Sequence, residues 1–146
     1  MGSTTFREVL YPPLWLLAFI YFLFLSLALS VWAALGNLAG LLVFLFLTII
    51  LVLLRSKSAM RIEVRDGELF IGRAHVELQY LGIVTILTPA QMALTRGRNA
   101  DPDAFLAIRF WQSKGLKVEL NDERDPTPYW LISSKKSEAL AQALGN

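Results

Sequence analysis

A single histidine and two short acidic runs are the side chains of this sequence that could supply acid–base or metal chemistry. His75 is the only histidine, and cysteine is absent, which removes disulfides, thiolate metal sites and cysteine nucleophiles together. The acidic runs at 101–103 and 122–125 lack the spacing of a calcium loop and are typical of turns beside proline. We therefore predict no catalytic, cofactor-binding or metal-binding residue, and a protein that is not an enzyme.

Two groups of cations could instead contact the phosphates of membrane lipids. Arg55, Lys57 and Arg61 follow a long apolar stretch, and cations beside a membrane attract anionic lipid by about 1 kcal/mol each. Arg96 and Arg98 form the second group, because phosphate binding needs converging donors and this loop offers paired arginines. The competing interpretation is that the first group only sets membrane topology and that the second is a solvated loop.

Three aromatic residues are candidates for contact with a protein partner, since aromatic anchors carry much of the energy of protein interfaces. Trp111 lies at the end of a predicted hairpin, and Tyr129 and Trp130 follow two prolines. Neighbouring strand residues point to opposite faces, so we expect one of Tyr129 and Trp130 in the core and the other exposed. The alternative to a partner contact at Tyr129 or Trp130 is that the aromatic side chain packs against the C-terminal helix. A net charge of +2 with interspersed signs does not indicate a nucleic-acid partner.

The elements that must position these residues begin with a long apolar stretch. Residues 9–54 contain no Asp, Glu, Lys, Arg or His. A bilayer core takes roughly 20 apolar residues per helix, so this length predicts two membrane spans. The break falls at Gly36 and Asn37, which gives spans at 14–35 and 38–54.

The domain organisation follows from these spans: a short lead at 1–13, a transmembrane hairpin at 14–54 and a cytosolic domain at 55–146. The cations after the second span contrast with an uncharged turn between the spans. By the positive-inside rule both termini are cytoplasmic, and the protein is a multi-pass protein of the inner (cytoplasmic) membrane. The lead itself shows a weak helical pattern.

From residue 60 the hydrophobic period changes to two, which predicts a small all-β domain after the α-helical hairpin. Asp66 and Gly67 suit a type I′ turn. We count seven short strands in hairpin succession and an amphipathic C-terminal helix at 139–144. This order resembles the pleckstrin-homology superfold, which implies a bent antiparallel barrel, and a small β-barrel of another type is the alternative. We expect residues 60–146 to fold without the helices.

Three sequence runs carry a resemblance to a known family. They are residues 72–82, 100–106 and 125–133, and the Asp-Pro-Thr-Pro-Tyr-Trp run starting at Asp125 is the most specific. With the two predicted spans, they resemble an uncharacterised family of actinobacterial membrane proteins over almost the whole chain. The family has no assigned activity, so the resemblance implies a topology and no residue roles.

These observations together favour an integral membrane protein in which the hairpin anchors a cytosolic interaction or scaffold module. The bilayer and a protein of unknown identity are then the expected partners. The alternative function is binding of a lipid or lipid headgroup at the cell envelope.

Overall fold

The computed structural model describes residues 4–145, and the chain divides into two compact units. One unit is Tyr11–Ala59, and we call it the helical unit. The other, the β unit, combines the residues up to Leu10 with those from Met60 onward. Positions 1–3 and 146, at the ends of the predicted lead and cytosolic domain, lie outside the described residues. In chain order the helical unit is therefore an insertion within the β unit, and residues 60–146 are not the whole of that unit.

The helical unit consists of two long apolar helices, α1 (Leu14–Leu35) and α2 (Asn37–Lys57). Their mean hydropathies are 2.4 and 2.8, and both are long and apolar enough to cross a membrane. At 1.5 Å per residue they measure about 32 to 33 Å, close to the thickness of a bilayer core. The predicted pair of helices is confirmed, and the second continues three residues beyond its predicted end at Leu54.

The two helices approach each other closely near their turn. A Cβ atom on Gly40 would lie 2.7 Å from the Cβ atom of Trp32, so only glycine fits at this point of contact. The indole N–H of Trp32 donates a hydrogen bond to Oδ1 of Asn37 at 2.6 Å, which joins the end of α1 to the start of α2.

The first sheet of the β unit is an antiparallel meander whose order follows the chain. Its strands are β1 (Thr4–Leu10), β2 (Met60–Arg65), β3 (Glu68–Ile71) and β4 (Ala74–Glu77). Asp66 and Gly67 have φ angles of 52° and 78°, as the predicted type I′ turn requires. The weak helical pattern of the lead is a wrong prediction, because pairing with β2 overrides a marginal local preference.

The second sheet has the order β5-β7-β8-β6, with β6 parallel to β8 and the other pairs antiparallel. Its strands are β5 (Leu81–Leu87), β6 (Phe105–Ala107), β7 (Gly115–Leu120) and β8 (Tyr129–Ser133). Helix α3 (Pro89–Arg96) connects β5 to β6 and begins with a capping box between Thr88 and Gln91. Helix α4 (Ser137–Ala143) follows β8.

The two sheets share one hydrophobic core. Its buried members include Ile62, Val64 and Leu69 of the first sheet, Leu116, Val118 and Ile132 of the second, and Leu140 of α4. The other face of the second sheet carries a smaller cluster, in which Tyr129 and Leu131 pack with Leu87 and with Met92 of α3. Strand β8 is consequently covered on both faces, and all five of its residues are buried.

The predicted bent barrel of seven strands is wrong in both strand number and closure. The described residues form eight strands in two four-stranded sheets, without a closed barrel. The eighth strand is β1, whose partner β2 is separated from it by the whole helical unit. The prediction that successive strands form hairpins is also wrong at β6. This strand pairs with β8 in parallel, and parallel strands cannot be joined by a tight turn.

Candidate functional site

A cleft of about 600 Å³ lies at one end of the second sheet. The sheet register pairs Leu87 with Gly115 and Gly115 with Ser133, so β5, β7 and β8 reach this end of the sheet in one row. The chain segments just beyond that row form the cleft. Its lining consists of Ile86, Leu87, Thr88, Pro89, Lys114, Lys135, Lys136, Ser137, Glu138 and Ala139.

The lining carries an excess of positive charge. Lys114, Lys135 and Lys136 are exposed, and Glu138 is the one carboxylate among the residues of the lining. The ion pairs found within residues 4–145 involve other cations, namely Arg7, Arg65, Lys117 and Arg124. The three ammonium groups of the cleft are therefore not neutralised by an ion pair in the described part of the chain.

A buried carboxylate on β1 holds the main chain beneath two of these lysines. Glu8 is 7% exposed; its Oε2 accepts a hydrogen bond from the Ser134 hydroxyl at 2.6 Å and its Oε1 accepts one from the Lys135 N–H at 2.8 Å. The Lys136 N–H donates to the Ser134 hydroxyl at 3.1 Å. A carboxylate is tolerated in such a place only when donors compensate its lost hydration, so this segment has a fixed conformation.

Lys114 is tied to the same segment through Ser134. The Ser134 N–H donates to the carbonyl of Lys114 at 3.1 Å, and the side chain of Gln112 donates to the carbonyl of Ser134 at 3.2 Å. The lysine before β7 and the lysine pair after β8 are thus held next to each other by main-chain bonds around one serine.

The cations chosen from the sequence do not line this cleft. Arg55, Lys57, Arg61, Arg96 and Arg98 are all exposed. The first two belong to the helical unit, where the Arg55 guanidinium lies 5.2 Å from the centre of the Tyr11 ring, and the other three belong to the β unit. Helix α3 starts at the cleft with Pro89 and ends at Arg96 about 10 Å further along its axis.

Sequence reasoning missed all three lysines of the cleft. The available signal was the Lys135–Lys136 pair between a predicted strand and the C-terminal helix, with Lys114 in a predicted turn. The interspersed acids elsewhere in the domain hid this local excess. The register of β7 against β8 brings Lys114 next to Lys135 and Lys136, and the sequence does not show that register.

The aromatic candidates are placed differently from the sequence expectation. Tyr129 and Trp130 are 7% and 5% exposed, so the expectation that one of them points outward is wrong. Trp111 is half-buried, and its indole N–H has no hydrogen-bond partner within residues 4–145. The exposed ring at that turn is Phe110, which is 67% exposed and packs edge-on against Trp111 at 4.9 Å.

Another groove, of about 210 Å³, contains His75 together with Asp122 and Asp125 of the loop before β8. There Arg124 donates to Oδ1 of Asp122 at 3.2 Å and to the Tyr80 hydroxyl at 2.9 Å. Hydrogen bonds from the Arg124 backbone and side chain lower the pKa of Asp122, and the bond to Asp122 raises the pKa of Arg124. The Asn121 N–H donates to the carbonyl of Tyr80 at 2.8 Å, so these contacts fasten the loop to the short 3-10 helix (Leu78–Tyr80) between β4 and β5.

The groove does not have the arrangement of a metal centre. The ring of His75 packs edge-on against Phe70 at 5.7 Å between centroids. Over the range 4–145, no group of three or more His, Cys, Asp or Glu side chains is arranged to hold a metal ion.

Comparison with protein families gives a match over almost the whole chain. A family model described as a protein of unknown function, DUF3093, matches residues 5–144, from β1 to the end of α4. The predicted resemblance to an uncharacterised family is thereby confirmed. We find no significant match to the chain among curated proteins or among solved structures.

Proposed function

Because the chain belongs to the DUF3093 family of proteins of unknown function, we propose its role from its own structure: a membrane-anchored interaction module without enzymatic activity. Helices α1 and α2 cross the inner membrane and anchor the β unit, with both chain termini in the cytoplasm. The β unit binds a protein partner near the membrane.

The exposure of the two helices carries this proposal. Only 6% of the apolar window of each helix is buried within the protein. Large apolar side chains are exposed all along them, among them Leu14, Trp15, Phe19, Phe22, Leu42, Phe46, Ile49 and Val52. Soluble monomers rarely expose contiguous apolar patches above a few hundred Å², whereas a lipid environment matches such a surface.

The polar groups of the helices also suit a lipid environment. The hydroxyls of Ser26, Ser30 and Thr48 donate to carbonyls four residues earlier, at 3.0, 2.9 and 2.8 Å. Each helix thus satisfies these groups by itself and needs no water to do so.

The pairing of β1 with β2 supports a hairpin that crosses twice. Leu10 and Met60 are register partners, and the whole helical unit lies between them in sequence. A chain that leaves from one of two paired strands and returns to the other must cross a bilayer an even number of times. The charges of Arg55, Lys57 and Arg61, set against an uncharged turn, favour the cytoplasm for the paired strands.

A labelling experiment tests this topology, since the natural chain has no cysteine. A cysteine at Leu38, an exposed residue in the first turn of α2, should react with a membrane-impermeant thiol reagent in intact spheroplasts. A cysteine at Ser113, an exposed position of the β unit, should react only after the cells are opened. Labelling in the reverse pattern, or extraction of the protein by alkaline carbonate, would contradict the proposal.

We assign the partner contact to Phe110, supported by Trp111 behind it. A ring that is 67% exposed beside a second aromatic is the kind of anchor that dominates protein interfaces. A photo-crosslinking amino acid at Phe110 should give a discrete crosslinked product in membranes. The same group at Ile83, which is also 67% exposed, is the matched control and should give none. Equal products from both positions would argue against an interface at this turn.

The alternative function is recognition of a lipid headgroup, and one observation favours it. The three lysines of the cleft form a cationic cluster within the β unit itself. This function does not compete with the anchor, which is common to both.

A further inference from the structure

We propose that the lysine-lined cleft of the β unit binds a phosphate monoester, either a soluble phosphorylated compound or the headgroup of a phosphorylated lipid. Every residue of the lining belongs to the β unit. The inference therefore goes beyond the membrane anchor and does not depend on it.

The charge of the cleft selects for a dianion. Lys114, Lys135 and Lys136 line the cleft together with one carboxylate, Glu138, while the buried carboxylate of Glu8 is outside the lining and bonded to Ser134 and to the Lys135 N–H. Like charges held together repel, and the cluster is stabilised when an anion enters. A phosphate monoester carries a charge of about −1.5 to −2 at pH 7 and offers three strong acceptor oxygens. A monoanion such as a carboxylate or a phosphodiester would neutralise the cluster less completely.

The main chain that carries the lysines is already in place. Ser134 bonds to the carbonyl of Lys114, and Glu8 holds both Ser134 and the N–H of Lys135. A ligand then has to order the lysine side chains but not the main chain that carries them, which lowers the entropy lost on binding. Glu8 accordingly acts as a positioning residue for the cleft, while its own carboxylate is engaged by the Ser134 hydroxyl and the Lys135 N–H.

The size and the walls of the cleft indicate a ligand larger than inorganic phosphate. A volume of about 600 Å³ lies within the range of about 300 to 1,000 Å³ that is usual for small-molecule sites. Ile86, Leu87, Pro89 and Ala139 supply apolar surface in the same cleft. This combination suits an organic phosphate, with the phosphate among the lysines and the carbon skeleton along the apolar wall.

The test uses the full chain in micelles of an uncharged maltoside detergent and has two arms. In the first, calorimetric titration with glycerol 3-phosphate measures binding of a soluble monoester. In the second, the micelles contain phosphatidic acid, a monoester lipid, or phosphatidylglycerol, a diester lipid, and the thermal unfolding midpoint of the β unit is recorded. A ligand that binds the folded state raises that midpoint.

Two double variants, each with two positive charges fewer, distinguish binding that depends on the lysines of the cleft from binding that depends only on the net charge of the protein. Lys114→Gln with Lys135→Gln removes one cation from each segment of the cleft and should weaken binding about tenfold or more, since charge-assisted hydrogen bonds to phosphate are among the stronger polar contacts. Arg65→Gln with Arg73→Gln removes two exposed cations of the first sheet and its turn, and should leave binding unchanged. Lys136→Gln alone is a milder variant with a smaller expected loss.

The outcomes are distinct. Binding of glycerol 3-phosphate that is lost only in the lysine variant supports the proposal and identifies a soluble source. Stabilisation by phosphatidic acid alone, with the same dependence on the lysines, supports it and identifies a lipid source. Equal weakening by both double variants, equal stabilisation by the diester lipid, or absence of binding in both arms overturns the proposal. None of these results bears on the cysteine labelling that tests the anchor.

Discussion

The helical unit and the β unit satisfy their polar groups in opposite ways. In the helical unit, hydroxyls such as that of Thr48 bond to carbonyls one turn away, so each helix is complete by itself. In the β unit, the carboxylate of Glu8 is satisfied by a serine hydroxyl 126 residues further along the chain. The helical unit is thus specified by local sequence, and the β unit by contacts between distant segments.

The largest effect is expected when the helical unit is removed and the β unit is made alone. Leu10 and Met60 are the final register pair of β1 and β2, so replacing Tyr11–Ala59 with an Asn-Gly turn should close them into a tight hairpin. We expect this shortened protein to be soluble and monomeric, with a β-rich circular dichroism spectrum and dispersed amide resonances.

The matched control is Met60–Asn146, which lacks β1. Without that strand, β2 becomes an unpaired edge and the core loses Phe6 and Leu10. We expect aggregation of this fragment, against the sequence expectation that it folds alone. A soluble, folded fragment would mean that β1 contributes little to stability. The β unit would then depend less on contacts between distant segments than we infer.

The next largest effect is expected at Glu8. Glu8→Ala leaves the Lys135 N–H and the Ser134 hydroxyl without their acceptor, and should lower the unfolding free energy of the β unit by about 3 kcal/mol. Glu63→Ala on the adjacent strand removes ion pairs with the exposed Arg7 and Arg65 and should cost less than about 1 kcal/mol. Urea unfolding of the full chain in detergent compares the two, and equal losses would remove the special role of the buried carboxylate.

A smaller effect is expected at Gly40 and should be confined to the helical unit. Gly40→Ile forces a side chain against Trp32 and should weaken helix–helix packing by about 1 to 3 kcal/mol, as overpacking does elsewhere. The measurement is disulfide formation between cysteines placed at Ala28 and Leu41, which line the same groove between the helices. The thermal unfolding midpoint of the β unit should not move; a parallel decrease there would show that the units are coupled.

The smallest effect is expected at Asp122, at the surface. Its pKa is lowered below 3.8 by hydrogen bonds from Arg124 that favour the ionised form. A group with a depressed folded-state pKa stabilises the fold above its unfolded value, and that contribution is lost as pH falls through the folded value. Wild type should therefore be slightly more stable than Asp122→Asn at neutral pH, and the two unfolding midpoints should converge in acid well below pH 3.8. A difference that persists or grows in acid would contradict the assignment.

The same contrast explains what the sequence could predict. The two helices were predicted nearly to their ends, because length and lack of charge are local properties. The turn at Asp66 and Gly67 was predicted for the same reason. Strand β1 was missed because its partner lies beyond the helical unit, and nothing within 4–10 reveals that partner.

The aromatic and cationic candidates failed for a related reason. The burial of both Tyr129 and Trp130 follows from the central position of β8, and that position depends on a sheet order that interleaves segments from different parts of the chain. Lys114 meets Lys135 only through the register of β7 and β8. Where a site is assembled by register, residue types and spacing alone identify its members poorly.

The insertion of the helical unit between β1 and β2 also sets an order of events during synthesis. At translation rates of about 5 to 20 residues per second, several seconds pass between the emergence of Leu10 and that of Met60 from the ribosome. Throughout that interval β1 lacks its partner strand β2, while the residues of the helical unit are being made. The partners of its Glu8 carboxylate, Ser134 and Lys135, are made 126 residues or more after Glu8. Strand β1 is accordingly secured long after it is made, and premature cleavage or pairing of those few residues would leave a β unit that cannot close.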